Sequence, residues 1–260
     1  MAQIRERPIF IYHQIGDYPN DQMQYGVTPG ALRSHLDTLK ELNLEAIALE
    51  QMLAQMKGEE NFSPRAVSFT FDGGFRDAHE NVLPILNERG IKAAFFIPVD
   101  YVGKSHGLYR ADLPCMDWAQ IKELHAAGMT IGSLGRRGAR LDEMPEAEWR
   151  EDARIAREIL EDKLGAPVPY HAYRETFPNR RLRKWFIEQD FKAVLTMCPT
   201  FRWSNLYRLG RIQVDDEPPN VFQTKASNLY LFFKDKRTWR LIRRFKVDRL
   251  MHWIYEKFER

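Results

Sequence analysis

Cysteine is nearly absent: Cys115 and Cys198 are the only two in 260 residues. Two distant thiols lack the paired spacing of a zinc or redox motif and suit free thiols in a reducing compartment. Long apolar runs are missing as well; none approaches the ~20 residues that a spanning helix needs. The first eight residues carry charge where a secretory leader would be apolar, which predicts a cytoplasmic protein. No repeat and no low-complexity tract interrupts the chain. Strong net charge is also lacking, at only +3. Its distribution is uneven. Residues 234–260 hold ten Lys/Arg against four Asp/Glu, a surplus of six that leaves −3 for the rest. The basic character is therefore a property of the tail.

A hydrophobic content of 44% with 12% aromatics is enough for one large folded core. Residues 8–15 read as a strand. Thr28-Pro29 opens a helix, with Thr as N-cap and Pro in the first turn, and Leu32, Leu36, Leu39 and Leu42 form its apolar stripe. A short strand over 46–49 and a helix over 50–57 follow. Residues 66–71 form a second apolar strand, ending abruptly in Asp72-Gly73-Gly74-Phe75. A helix from 76 to 90 leads to a strand over 91–97. Asp117 caps a helix that Gly128 ends, and 129–133 is again a strand. A charged helix spans 145–164 with Gly165 as its stop. Strands at 168–173 and 191–196 flank a helix at 179–189. Strands alternating with helices, without tandem hairpins, predict a parallel α/β architecture of seven or eight units, a distorted (β/α) barrel. We read 1–233 as the barrel and 234–260 as a basic amphipathic C-terminal helix.

The segment Ser68-Phe69-Thr70-Phe71-Asp72-Gly73-Gly74-Phe75 resembles the first motif of the NodB-type polysaccharide deacetylases, carbohydrate esterase family 4, whose usual form reads Thr-Phe-Asp-Asp-Gly. Tyr12-His13, the helix from Thr28 to Leu42, the approach Met116-Asp117-Trp118 to Ser133, and Arg208-Leu209-Gly210-Arg211-Ile212 resemble other parts of the family in the same order. The resemblance runs from about residue 11 to about 221. It implies a distorted barrel and hydrolysis of carbon–nitrogen bonds other than peptide bonds. It also implies a role in cell-surface polysaccharide synthesis, O-antigen or capsule, on precursors at the cytoplasmic side.

The same resemblance marks what is missing. The family's second Asp and its two His, which together hold a divalent cation, fall on Gly73, Leu134 and Gly138. The third motif reads His171-Ala172-Tyr173-Arg174-Glu175-Thr176 without its usual Pro and Gly, and the late Leu-x-His motif has no counterpart. Glycine and leucine offer no donor, so no bound metal and no cofactor are expected, and with them goes the activated water that the family chemistry needs.

Asp72, at a strand end, is the candidate base or substrate anchor, or else a turn carboxylate accepting backbone N–H bonds. His13, on a neighbouring strand end, is the candidate catalytic partner or a structural histidine. His171 and Arg174 either complete a polar substrate site with Asp72 or form a surface set with Glu175. Arg136 and Arg137 would project where the metal normally sits and bind an anionic sugar or phosphate, or form a solvated loop. A metal site rebuilt from His13, Asp72 and His171 is the remaining alternative. His79, His106 and His125 read as helix or loop histidines. The tail spaces Trp239, Ile242, Phe245, Leu250, Ile254 and Phe258 like a helix face among Arg and Lys. It would pack on the barrel or lie on the anionic inner face of a membrane. No nucleic-acid motif accompanies its charge. The expected partner is a carbohydrate or a lipid- or nucleotide-linked sugar. Two functions stay open: a sugar- or partner-binding pseudoenzyme, or an altered, metal-free deacetylase built on Asp72 and His13.

Overall fold

The computed structural model describes residues 7–18, 25–108, 112–174, 180–197 and 205–226. Cys198, His252 and the basic tail lie outside them, so the reading of the tail as an amphipathic helix is not addressed.

Among the described residues, eight parallel strands form the main sheet: β1 (Ile9–Tyr12), β2 (Ala66–Asp72), β3 (Ala94–Ile97), β4 (Thr130–Ser133), β5 (Tyr170–Tyr173), β6 (Ala193–Thr196), β7 (Leu209–Gly210) and β8 (Ile212–Gln213). Their spatial order is β7-β6-β5-β4-β3-β2-β1-β8. The two strands at the ends of this path are separated in the chain by Arg211 alone, so the sheet curls until it nearly closes into the expected barrel. A two-residue strand, Glu45–Ala46, pairs with the start of β2 in place of the strand expected at 46–49.

Among the described residues, seven α-helices surround the sheet: α1 (Pro29–Glu41), α2 (Leu49–Lys57), α3 (Leu83–Glu88), α4 (Trp118–Ala126), α5 (Glu146–Leu164), α6 (Arg180–Glu188) and α7 (Pro219–Ala226). Their ends follow the sequence signals. The Thr28 hydroxyl accepts from Ala31 N, and Asp117 and Gln120 complete a capping box. Gly165 ends α5 in the left-handed conformation. The helix expected from residue 76 is split. A π-helical turn, Ala78–Val82, precedes α3, whose first turn contains Pro84 and so needs no N–H there.

Alternation along each strand divides the core. Ile9, Ala94, Phe96, Ala172, Leu195 and Leu209 form one cluster, which Leu49 and Leu53 of α2 join. Phe10, Tyr12, Phe69, Phe71, Phe95 and Ile131 belong to a separate, larger cluster with the helices. Because every strand of the main sheet runs the same way, their C-terminal ends meet at one mouth, where Asp72 ends β2.

Candidate functional site at the barrel mouth

Asp72 is buried and paired with Arg211. The Arg211 Nη1 donates to Asp72 Oδ1 at 2.6 Å and Nη2 donates to Oδ2 at 2.7 Å, with both side chains at 0% exposure. Nη1 also reaches Thr70 Oγ1 and Nε donates to Thr196 O, so one guanidinium ties β2 to β6 across the barrel. Its carbon lies 5.3 Å from the Phe96 ring centroid. Burial pushes the Asp72 carboxyl up, while the Arg211 charge and its hydrogen bonds pull the other way. Asp72 is therefore neither the backbone-bonded turn carboxylate nor an unengaged base. Arg211 was legible only as part of a family-like closing segment, because nothing local announces a partner 139 residues away.

His13 follows β1, and the β1–β2 register pairs Tyr12 with Phe71, so His13 and Asp72 sit level on neighbouring strands. Burial first, then the charges of Arg211 and Arg174, hold His13 well below the ordinary histidine range, so it is neutral at physiological pH. Its ring lies 5.0 Å from that of Tyr25, with the Gln213 amide 3.5 Å from Nδ1. Arg174, just past β5, donates to Leu108 O at 3.0 Å and belongs to the mouth.

His171 does not. Tyr170 and Ala172 join the cluster containing Ile9 and Phe96, which turns His171 and Tyr173 to the opposite face of β5, against α6. His171 packs 4.8 Å from the Phe186 ring and 6.0 Å from Phe191. Burial lowers it to about 3. The three-residue site of His13, Asp72 and His171 is thus not assembled, because His171 lies on the wrong side of its strand. Among the described residues no group of three or more His, Cys, Asp or Glu could hold a metal ion.

Arg136 and Arg137, just past the end of β4, lean on one carboxylate: Arg136 Nε donates to Asp100 Oδ1 and Arg137 Nε to Asp100 Oδ2, each at 3.2 Å. Asp152 accepts from Arg136 N behind them at 3.0 Å.

The residues that the family resemblance would place at three ligand positions do not fit a cation. Gly73 has φ +108°, which disfavours any L side chain, and a Cβ there would overlap the Phe75 ring. Leu134 is buried at 2% exposure, and a Cβ at Gly138, with φ +61°, would press on Leu108 and Leu134. His106 fixes this arrangement. Its Nε2 donates to Gly73 O at 2.7 Å while Nδ1 accepts from Leu108 N at 3.3 Å, which sets the tautomer. His106 thus reinforces the glycine turn, a role its loop position did not reveal. Phe75 and Leu113 are buried beneath half-exposed Tyr18, Tyr25 and Leu108. Apolar and aromatic surface occupies the region from which the metal would be held.

Asp77 anchors the loop beside this surface. Its Oδ2 accepts from Ile15 N at 2.8 Å and from the Tyr18 hydroxyl at 3.2 Å, while Oδ1 is buried without a partner. Burial raises its pKa to about 7. A recess of about 210 Å³ opens at the opposite end of the barrel, near Pro8 and Ala66 at the strand starts, and Arg7 is the sole ionisable residue lining it. It brings no cluster of reactive groups together, so the mouth is the candidate site.

A parallel sheet nearly closed into a barrel, with an acid delivered by β2, defines a member of the deacetylase barrel class. The family profile described as Polysaccharide deacetylase matches residues 59–194, just over half the chain, and the chain belongs to that family. YxkH of Bacillus subtilis (strain 168), named for the same family, is 24% identical over 209 residues, covering 80% of this chain and 71% of its own length. IcaB from Ammonifex degensii superposes with a TM-score of 0.72 at 21% identity, covering 84% of this chain and 95% of that one. The Streptococcus pyogenes deacetylase PplD, solved in complex with acetate, gives 0.73 at 18% identity, covering 85% and 98%. At such identities these structures establish the fold.

Proposed function

We propose that this chain is a carbohydrate-binding member of the family that does not perform metal-dependent N-deacetylation. The observation that carries this reading is the bidentate ion pair in which Arg211 donates to both oxygens of Asp72. Burial holds the Asp72 carboxyl above its ordinary range, but its side chain is at 0% exposure and both oxygens lie on a guanidinium, which leaves it no open face on which to meet an attacking water. The Gly73 turn beside it leaves no room for a second ligand. Half-buried Tyr25, 5.0 Å from the His13 ring, and half-buried Tyr18 over Phe75 and Leu113 support a binding role, since aromatic faces stack on the apolar faces of sugar rings while polar neighbours fix orientation. The competing reading, metal-free deacetylation by Asp72 and His13, requires a base. Asp72 is engaged, and His13 is held too far below neutrality to take a proton readily.

By the family resemblance, the ligand is a carbohydrate or a lipid- or nucleotide-linked sugar of cell-surface polysaccharide synthesis, O-antigen or capsule. The protein acts at the cytoplasmic side, with residues 1–233 as the barrel and 234–260 as a basic helix that contacts the inner membrane face. No helix among the described residues is long and apolar enough to cross a membrane.

The test is to incubate the protein with chitooligosaccharides and zinc, cobalt or nickel, following acetate release and ligand binding in parallel. Binding without acetate release supports the reading. Acetate release that Asp72→Asn abolishes would replace it with the enzymatic one.

A further inference from the structure

We propose that Asp77 is a protonation-operated latch on the aromatic rim of this mouth. Its neutral carboxyl keeps Tyr18 folded down on the rim, and its ionisation lets Tyr18 swing out and weakens glycan binding. The proposal rests on the carbohydrate-binding reading above and adds a regulation of that same site.

One oxygen of Asp77 makes the latch. Oδ2 accepts from Ile15 N at 2.8 Å and from the Tyr18 hydroxyl at 3.2 Å, so the connection after β2 ties down the chain that leaves β1. The Ile15 end is fixed. That residue is a buried member of the core, its carbonyl accepts from Asn81 Nδ2 at 2.6 Å, and Gln14 and Ile15 pair with Gly26 and Val27. The Tyr18 end is the one that can move. Tyr18 is half-buried, and its ring lies where a Cβ at Gly16 would come within 2.5 Å of it. A glycine two residues before Tyr18 thus gives the ring its resting place and the backbone a pivot. Tyr18, Tyr25 and Leu108 pack over Phe75 and Leu113, and Tyr25 lies 5.0 Å from His13. Displacing Tyr18 would remove one of the two aromatic faces offered to a sugar ring.

The other oxygen makes it sensitive to protonation. Asp77 is 3% exposed, and Oδ1 has no hydrogen-bond partner among the described residues. A buried carboxylate with one oxygen unserved is disfavoured unless water can reach it, whereas the neutral carboxyl tolerates the same place. The titratable neighbours do not relieve the charge. Tyr18 comes from the tied segment, and burial and Asp77 itself raise its hydroxyl. Cys115, across the turn, is raised to about 12 by burial first and then by Asp77 and Asp112, with Arg76 opposing. Arg76 and Asp17 are exposed, and exposed Glu80 disfavours a second negative charge. Burial thus raises Asp77 to about 7, against the bonds from Ile15 and Tyr18. With Tyr18 swung out, water reaches the carboxyl and its value returns toward the ordinary 3.8. Between about pH 4 and about pH 7 the open form has released to solvent a proton that the closed form keeps. Each unit of rising pH therefore favours opening by up to about tenfold.

The experiment uses the full chain and two readouts between about pH 5 and about pH 8. Exposure of the Tyr18 ring is followed by NMR, as relaxation caused by a neutral gadolinium chelate, without any ligand. Affinity for neutral chitotetraose is followed by calorimetry. Both are repeated on Asp77→Asn, which keeps an acceptor for Ile15 N and Tyr18 but cannot ionise. We expect Tyr18 exposure to rise with pH and chitotetraose to bind about tenfold more weakly at the upper end, with one shared midpoint. The variant should show the low-pH exposure and affinity throughout. Tyr18 exposure that does not change, two different midpoints, or a pH dependence that survives in Asp77→Asn would overturn the latch and leave carbohydrate binding standing. Should that variant not fold, the two curves of the unaltered protein decide the matter. Absence of chitotetraose binding at every pH would overturn both readings.

Discussion

Arg211 and Asp72 meet end to end inside the barrel, two nitrogens on two oxygens at 2.6 and 2.7 Å, although 139 residues separate them in the chain. Arg211 lies between the two strands that bring the sheet round on itself, so the pair joins the closing segment to the strand carrying the family's first acid. This pairing accounts for both the integrity of the mouth and the quiet chemistry proposed for it.

Removing one partner leaves the other charged and buried. Arg211→Met alone should cost roughly 3–5 kcal/mol, and Asp72→Asn combined with Arg211→Met should recover much of that loss. Urea unfolding of the two single variants and the double variant gives the coupling directly. Additive losses would show that the pair is not a unit.

Restoring the missing motif should fail. Gly73→Asp places a side chain at φ +108° and against Phe75, so that variant should be destabilised by roughly 1–3 kcal/mol through backbone strain and overlap. The triple variant Gly73→Asp/Leu134→His/Gly138→His should still bind no stoichiometric zinc. Thermal melts and elemental analysis check the two statements.

Asp77 should make stability fall as the pH rises from about 4 to about 7. Its folded pKa is raised to about 7 by burial, above the ordinary carboxyl value of 3.8. Between those values the folded chain holds a proton that the unfolded chain has released. Stability is therefore full below about pH 4 and declines through about pH 7, by up to about 4 kcal/mol. Asp77→Asn keeps an acceptor for Ile15 N and Tyr18 and should remove that slope. Denaturant unfolding of both proteins from pH 4 to 8, compared as a difference, isolates the effect.

His171 should act in the opposite direction and without touching the ligand. Burial lowers it to about 3 from the ordinary 6.5, so the unfolded chain takes up a proton first and stability is lost as pH falls from 6.5 toward 3. Its Nδ1 has no hydrogen-bond partner among the described residues. His171→Phe should lessen acid sensitivity while leaving glycan affinity unchanged. A marked loss of affinity in that variant would return His171 to the site.

Much of the fold was legible because it rests on local signals. Asp117 with Gln120, Thr28 with Pro29, and Gly165 each mark a helix end through bonds spanning a few residues. The strand ending in Asp72 was visible from its apolar run. The site was less legible because side-chain direction depends on strand phase and on distant partners. His171 and Arg174 are three residues apart, yet one faces α6 and the other the mouth. Arg136 and Arg137 read as pocket or loop residues, and nothing near them in the chain announces the shared partner Asp100 from another connection. Gly73 stood out against the family's usual motif, but only the packing of Phe75 and the bond from His106 show that the turn is built around a glycine.

The most direct measurement is the metal content of the purified, untagged protein after equilibration with zinc, cobalt or nickel. We predict no stoichiometric metal, in agreement with a mouth whose acid is held by Arg211 and whose ligand positions are Gly73, Leu134 and Gly138. One metal per chain, lost in Asp72→Ala or His13→Ala, would contradict the account and make this protein a deacetylase with a rebuilt centre.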